Sequence, residues 1–221
     1  MYLVRHGEVD YFSGHAMSDD PALTQAGIEQ AHSVGQYIKD QAITPSLVIA
    51  TGYRRADQTA EIIRSYIDND TRFCTVAELG EIRKGDISSF TQEEVATSFF
   101  IGESVVTAER RFMNGESIGE FSRRVNAVID EIRHDDTWSS VLIVAHGGTN
   151  TALLSRAILG KKSYYLASLE QDYACINILE VGDKGEDWVV KLVNHTHYGV
   201  CPQASPTTLE LVAEQISSAN Y

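Results

Sequence analysis

Apolar residues in this chain fall into short continuous runs separated by longer stretches of helical spacing, and the alternation persists along most of the length. Met1–Val4 is an apolar run that stops at Arg5-His6-Gly7-Glu8, the pattern of a buried strand entering a turn. Residues 9–22 are polar and contain Ser, Asp and Pro, as expected of a loop. From Leu23 to Asp40 the apolar positions Ile28, Ala31, Val34, Tyr37 and Ile38 recur at helical spacing, with Thr24 placed to cap the helix. Ser46–Ala50 holds the trio Leu47-Val48-Ile49, a second buried strand, and Arg55–Ile67 is helical again. Residues 74–80 predict another strand. Residues 85–117 have weaker periodicity, Gly102 and Gly115, and an exposed-looking Phe99-Phe100; they predict short helices and loops covering one end of a core.

The second half repeats the alternation. Gly119–Arg133 is an amphipathic helix, Ser140–Ala145 is the clearest buried strand, and Thr149–Leu159 is helical after His146-Gly147-Gly148. Two β-rich stretches, Ala174–Val181 and Trp188–Val193, precede a final helix near Thr207–Ile216. Strands alternating with helices predict an α/β three-layer sandwich, a largely parallel sheet with helices on both faces. No repeat, low-complexity tract or linker interrupts the pattern, so residues 1–221 are expected to form one domain.

Composition adds exclusions. With 43% hydrophobic and 22% charged residues over 221 positions, the chain can bury a substantial core. No apolar run approaches the ~20 residues of a membrane span, and Arg5-His6 falls where the apolar part of a secretory leader would lie. A cytoplasmic protein with no membrane partner is expected. The three cysteines, Cys74, Cys175 and Cys201, lack metal-ligand spacing and suit reduced, buried packing positions. A formal net charge of −13 argues against nucleic acid as a partner, because phosphate backbones need a basic face. It leaves room for a small phosphorylated molecule if Arg and His converge locally. A homodimer is compatible with the sequence, which fixes no oligomeric state.

Three predicted strands end in polar residues that share one edge of such a sheet. The first gives Arg5 and His6, the second leads through Thr51 to Arg54-Arg55, and the third gives His146-Gly147-Gly148. Ligands of open α/β sheets bind outside the carboxyl ends of the strands. Arginine matches phosphate oxygens with a rigid fork, and a glycine pair opening a helix admits an anion to its free N–H groups. Singly, each feature has an ordinary structural reading: a hydrogen-bonded histidine, a surface arginine, a turn. Together they describe an oxyanion pocket. A zinc site on His6, His146 and a carboxylate is the competing reading, and Arg5 and Arg55 would repel the cation.

These residues resemble the histidine phosphatase superfamily, in its phosphoglycerate mutase-like branch. Arg5-His6-Gly7-Glu8 matches the family's first motif, and Leu23-Thr24, Gly27 and Gln30-Ala31 resemble its first helix. Arg55-Ala56-Asp57-Gln58-Thr59-Ala60 matches the second-helix signature, Leu79-Gly80-Glu81 lies where the family keeps its acid, and Gly115-Glu116-Ser117 resembles the lead into the next helix. His146-Gly147-Gly148 matches the second histidine motif, and the matches run from residue 1 to about 198.

The resemblance implies that His6 is the nucleophile, a choice between His6 and His146 that the sequence alone leaves open. It implies that Arg5, Arg55 and His146 hold phosphoryl oxygens, with Gly147 and Thr51 beside them, and that Glu81 is the general acid. Phe12 stands where many members place an Asn that touches phosphate, and Thr51 replaces a frequent Ser. Gly147 replaces the Asp that serves as acid in the acid-phosphatase branch, which leaves the role to Glu81. The implied activity is metal-independent hydrolysis of a small phosphomonoester through a phosphohistidine, with no cofactor. The alternatives are a cofactor-dependent phosphoglycerate mutase, disfavoured by the modest covering segment between Glu81 and Gly115, and a catalytically idle binding module, disfavoured because the full residue set is present. Tyr11, Phe12 and Phe99-Phe100 are candidate walls around the leaving group. His15, His32, His134, His195 and His197 are expected to be structural or exposed.

Overall fold

A computed structural model describes residues 1–11, 18–68, 70–86, 90–91, 94, 98, 100, 103–161, 164–182 and 187–197. The strands are β1 (Tyr2–Arg5), β2 (Leu47–Ala50), β3 (Arg72–Thr75), β4 (Val141–Ala145), β5 (Ile176–Val181) and β6 (Trp188–His195). They make one sheet in the order β3-β2-β4-β1-β5-β6. The first four are mutually parallel, β5 runs antiparallel to β1, and β6 antiparallel to β5.

Among the described residues four α-helices cover the sheet: α1 (Gln25–Asp40), α2 (Arg54–Arg64), α3 (Ile118–Arg133) and α4 (Gly147–Leu159). Alternate strand residues point to opposite faces. Leu3, Leu47, Ile49, Val141 and Ile143 pack with Phe121, Val125 and Ile129 of α3 and Leu153 of α4. Val4, Val48, Leu142 and Val144 pack with Val34 and Ile38 of α1 and Ala56, Ala60 and Ile63 of α2. The fold is therefore the expected three-layer α/β sandwich with a largely parallel sheet.

Local signals set the helix starts. Thr24 caps α1, its hydroxyl accepting from Gly27 N–H at 3.0 Å. Ser117 and Glu120 form a reciprocal capping box at the start of α3. The third strand differs from expectation, covering 72–75 rather than 74–80, and a single 3-10 turn (Ala77–Leu79) follows it. All four β3 residues are exposed, because this edge strand pairs only with β2. An edge strand with no buried face carries no apolar alternation to find it by. Cys74 lies there and is exposed, correcting the expectation of a buried thiol, whereas Cys175 is buried. Phe100, expected on the surface, is buried at 7% exposure. Cys201, the final predicted helix, His15 and Phe99 lie outside the described residues. Among the described residues no helix is long and apolar enough to cross a membrane.

Candidate active site

Strand pairing assembles the site. Arg5 is the register partner of Ala145 in the parallel β1–β4 pair, so the next residues, His6 and His146, emerge side by side. Their rings stand edge to face with centroids 5.3 Å apart. β2 lies on the far side of β4, and Thr51 at its end reaches His146 Nε2 with its hydroxyl at 2.9 Å. All three side chains are buried, as are Arg5 and Arg55.

The tautomer of His6 follows from its neighbours. Gly7 O, which can only accept, lies 2.8 Å from Nδ1, so Nδ1 carries the proton. Nε2 is then the bare nitrogen, and Arg55 Nε–H donates to it at 3.3 Å. Burial, reinforced by the Arg55 and Arg5 charges, holds both imidazoles well below the ordinary histidine value, so both are neutral. His146 Nδ1 is buried and meets no partner among the described residues.

Arg5 donates to Gln171 O and lies 4.0 Å over the Tyr173 ring. Arg55, in the first turn of α2, stacks 4.7 Å over Tyr53, donates to Asp19 O at 3.3 Å and pairs with Asp20 at 3.6 Å. The loop after β1 is pinned at each amide: Gly7 N–H donates to Thr59 Oγ1 at 3.1 Å and Glu8 N–H to Gln30 Oε1 at 2.8 Å.

Glu81 arrives from the segment after β3. Its carboxyl accepts from Gly148 N–H and from Ile82 N–H, each at 2.9 Å. A Cβ on Gly148 would displace that carboxyl from its present place against the helix. The helix that supplies this amide starts at Gly147, not near Thr149, so both glycines lie within its first turn. Arg124 of α3 fixes the same segment. It grips Glu116 with two hydrogen bonds, at 2.9 and 2.7 Å, and donates to the carbonyls of Glu78, Gly80 and Glu81.

A cavity of about 480 Å³ opens on this edge, bordered by Arg5, Arg55, Glu81, Gly147 and Gly148 at one end and by Tyr11 and Tyr53 beside them. His6, His146 and Thr51 stand behind that border rather than in it. Phe12 lies outside the described residues. Among the described residues no three His, Cys, Asp or Glu side chains cluster as metal ligands would.

A sequence model of the histidine phosphatase superfamily (branch 1) matches residues 1–196. The chain belongs to that superfamily. A relative from Yersinia pestis (strain Pestoides F), named "Probable phosphoglycerate mutase GpmB", is 34% identical over 162 residues, spanning 70% of this chain and 73% of its own. Two solved structures share the fold. The alpha-ribazole phosphatase from Shigella flexneri has a TM-score of 0.67 at 24% identity, over 88% of this chain and 95% of its own. A mycobacterial glucosyl-3-phosphoglycerate phosphatase has a TM-score of 0.68 at 20% identity, over 89% and 99%.

Several residues that shape this histidine phosphatase site carry no sequence signal of their own. Tyr173 and Gln171 meet Arg5 only because the turn before β5 folds back on β1. Glu116 was visible as part of Gly115-Glu116-Ser117, but its pairing with Arg124 required the packed structure. Thr59 sat in the second-helix signature without an evident task, and its task is the Gly7 amide.

Proposed function

We propose that the protein is a phosphomonoesterase that transfers the phosphoryl group of a small metabolite to His6 and then to water. The observation that carries this reading is the fixed tautomer of His6. Its bare Nε2 is held by Arg55, directly behind the arginine border of the cavity.

Arg55 would move its Nε–H from His6 Nε2 to a phosphoryl oxygen as substrate binds, freeing the lone pair at the moment the anion is held. Arg5 would neutralise a second oxygen. If the Thr51 hydroxyl donates to His146 Nε2, the unpartnered Nδ1–H of His146 is a donor for a third. Nε2 of His6 then attacks phosphorus, the bond from phosphorus to the alcohol oxygen breaks, and Glu81 gives that oxygen its proton. Water next attacks phosphorus in the phosphohistidine, the P–N bond breaks, and Glu81 recovers a proton. The products are the alcohol and inorganic phosphate. Residues 85–117 act in this reading as the segment covering the site, within a single domain.

The test is turnover of p-nitrophenyl phosphate in excess EDTA, beside His6→Ala. Wild type is expected to turn over unaffected by chelator, and the variant to lose several orders of magnitude. Full activity in His6→Ala would overturn the mechanism. The mutase reading is favoured by the GpmB-named relative. It predicts interconversion of phosphoglycerates stimulated by 2,3-bisphosphoglycerate, with p-nitrophenyl phosphate a poor substrate.

A further inference from the structure

The cavity wall has a polar and an apolar part. Besides the arginines and Glu81 it is lined by Ile82, Phe100, Phe112, Ile118, Phe121 and Leu169. Phe100 and Ile118 belong to a satellite core with Val106, against which Ile82, Phe112, Tyr165 and Ala167 pack. The Phe100 ring lies 6.2 Å from Phe112 and 6.4 Å from Tyr165. Two backbone bonds between Val106 and Tyr165, at 2.8 and 3.0 Å, tie the two halves of this wall together. The apolar part is thus built as a packed, hydrogen-bonded unit, and it stands ready before a ligand arrives.

Arg83 and Lys84 also border the cavity, and Lys84 is paired at 2.6 Å with Asp19, whose carbonyl accepts from Arg55, so these charges belong to the arginine side. Against the rings and aliphatic chains of the apolar wall a hydrocarbon group gains by every carbon it buries.

We infer that the substrate is a phosphomonoester of an apolar alcohol, one that carries an aromatic ring or a comparable hydrocarbon group. The inference rests on the phosphatase reading for its chemistry and on the cavity wall for its class. The reaction is the one written above, the apolar alcohol leaving with the proton from Glu81.

The comparison that isolates the wall uses two primary alkyl esters whose alcohols leave about equally well: 2-phenylethyl phosphate and glycerol 1-phosphate. Wild type is expected to prefer the former by about ten-fold or more in kcat/KM, chiefly through KM. Phe112→Asn is expected to shrink the preference several-fold, and Leu169→Asn replaces it should the first variant fail to fold. Comparable turnover of both esters, preference for glycerol 1-phosphate, or a preference untouched by folded wall variants overturns the substrate class and leaves the phosphatase reading standing. Absence of turnover on both esters and on p-nitrophenyl phosphate overturns the phosphatase reading alone. The class is then decided by calorimetry on the wild-type protein, where about ten-fold tighter binding of the phenylethyl ester upholds it and equal or absent binding ends it.

Discussion

Arg124 divides its guanidinium between the Glu116 carboxylate and three carbonyls of the segment that carries Glu81. Both side chains are nearly buried, at 12% and 10% exposure. Arg124→Met should cost about 3 kcal/mol in urea unfolding, since it strands the Glu116 carboxylate. It should also loosen Glu81. Turnover of an alkyl phosphate, whose alcohol needs a proton to leave, is then expected to fall further than turnover of p-nitrophenyl phosphate. Glu81→Gln should give the same split, and the double variant less than the product of the two. Equal losses on both esters would confine Arg124 to the fold. None of this was legible from the chain, where Arg124 is one polar position on an amphipathic helix; its value comes from three carbonyls brought to it by another segment.

At the scale of elements, α1 is seated against the turn that bears His6 through two glycines. A Cβ on Gly7 would overlap the Gly27 carbonyl, and one on Gly27 would overlap the Glu8 carbonyl. The helix can approach only because both are absent. Gly27→Ala should therefore cost about 1–3 kcal/mol by overpacking, and, with Gly7 and Glu8 amides tethered to Thr59 and Gln30, should lower kcat on p-nitrophenyl phosphate as well. Thermal melting and steady-state kinetics on the one variant check both parts; a stability loss with unchanged kcat would detach α1 from the site. The helices and the buried strands were readable because each has an apolar stripe or run matched to a core face. β3 was not, having no buried face, and the α4 start was misplaced because glycine favours no helix by propensity. His6, Arg5, Arg55, His146 and Glu81 could be marked in the sequence, yet only the β1–β4 register puts the two imidazoles in contact.

For the whole molecule, two neutral, buried imidazoles impose a pH dependence. In the unfolded chain each titrates near pH 6.5, and in the folded chain each stays neutral to well below that value. Above about pH 6.5 neither state binds these protons and stability is unaffected. As pH falls further the unfolded chain takes them up first, and stability drops by about 1.4 kcal/mol per pH unit for each histidine. Urea unfolding between pH 7.5 and 5.5 should show this slope, and His146→Gln should remove about half of it. An unchanged slope in the variant would mean that the fold accommodates the charged ring. The overall charge of −13 gave no hint of this, since it is set by the surface while the site is buried and cationic. The sheet order has a consequence for synthesis. β1 lies between β4 and β5, its partners from the far part of the chain. A ribosome adding about 5–20 residues per second leaves Leu3, Val4 and the His6 turn without a sheet neighbour for on the order of ten seconds. The nascent protein can build β2, β3 and their helices during that interval, but the edge that carries the candidate site closes only when late strands arrive to enclose an early one.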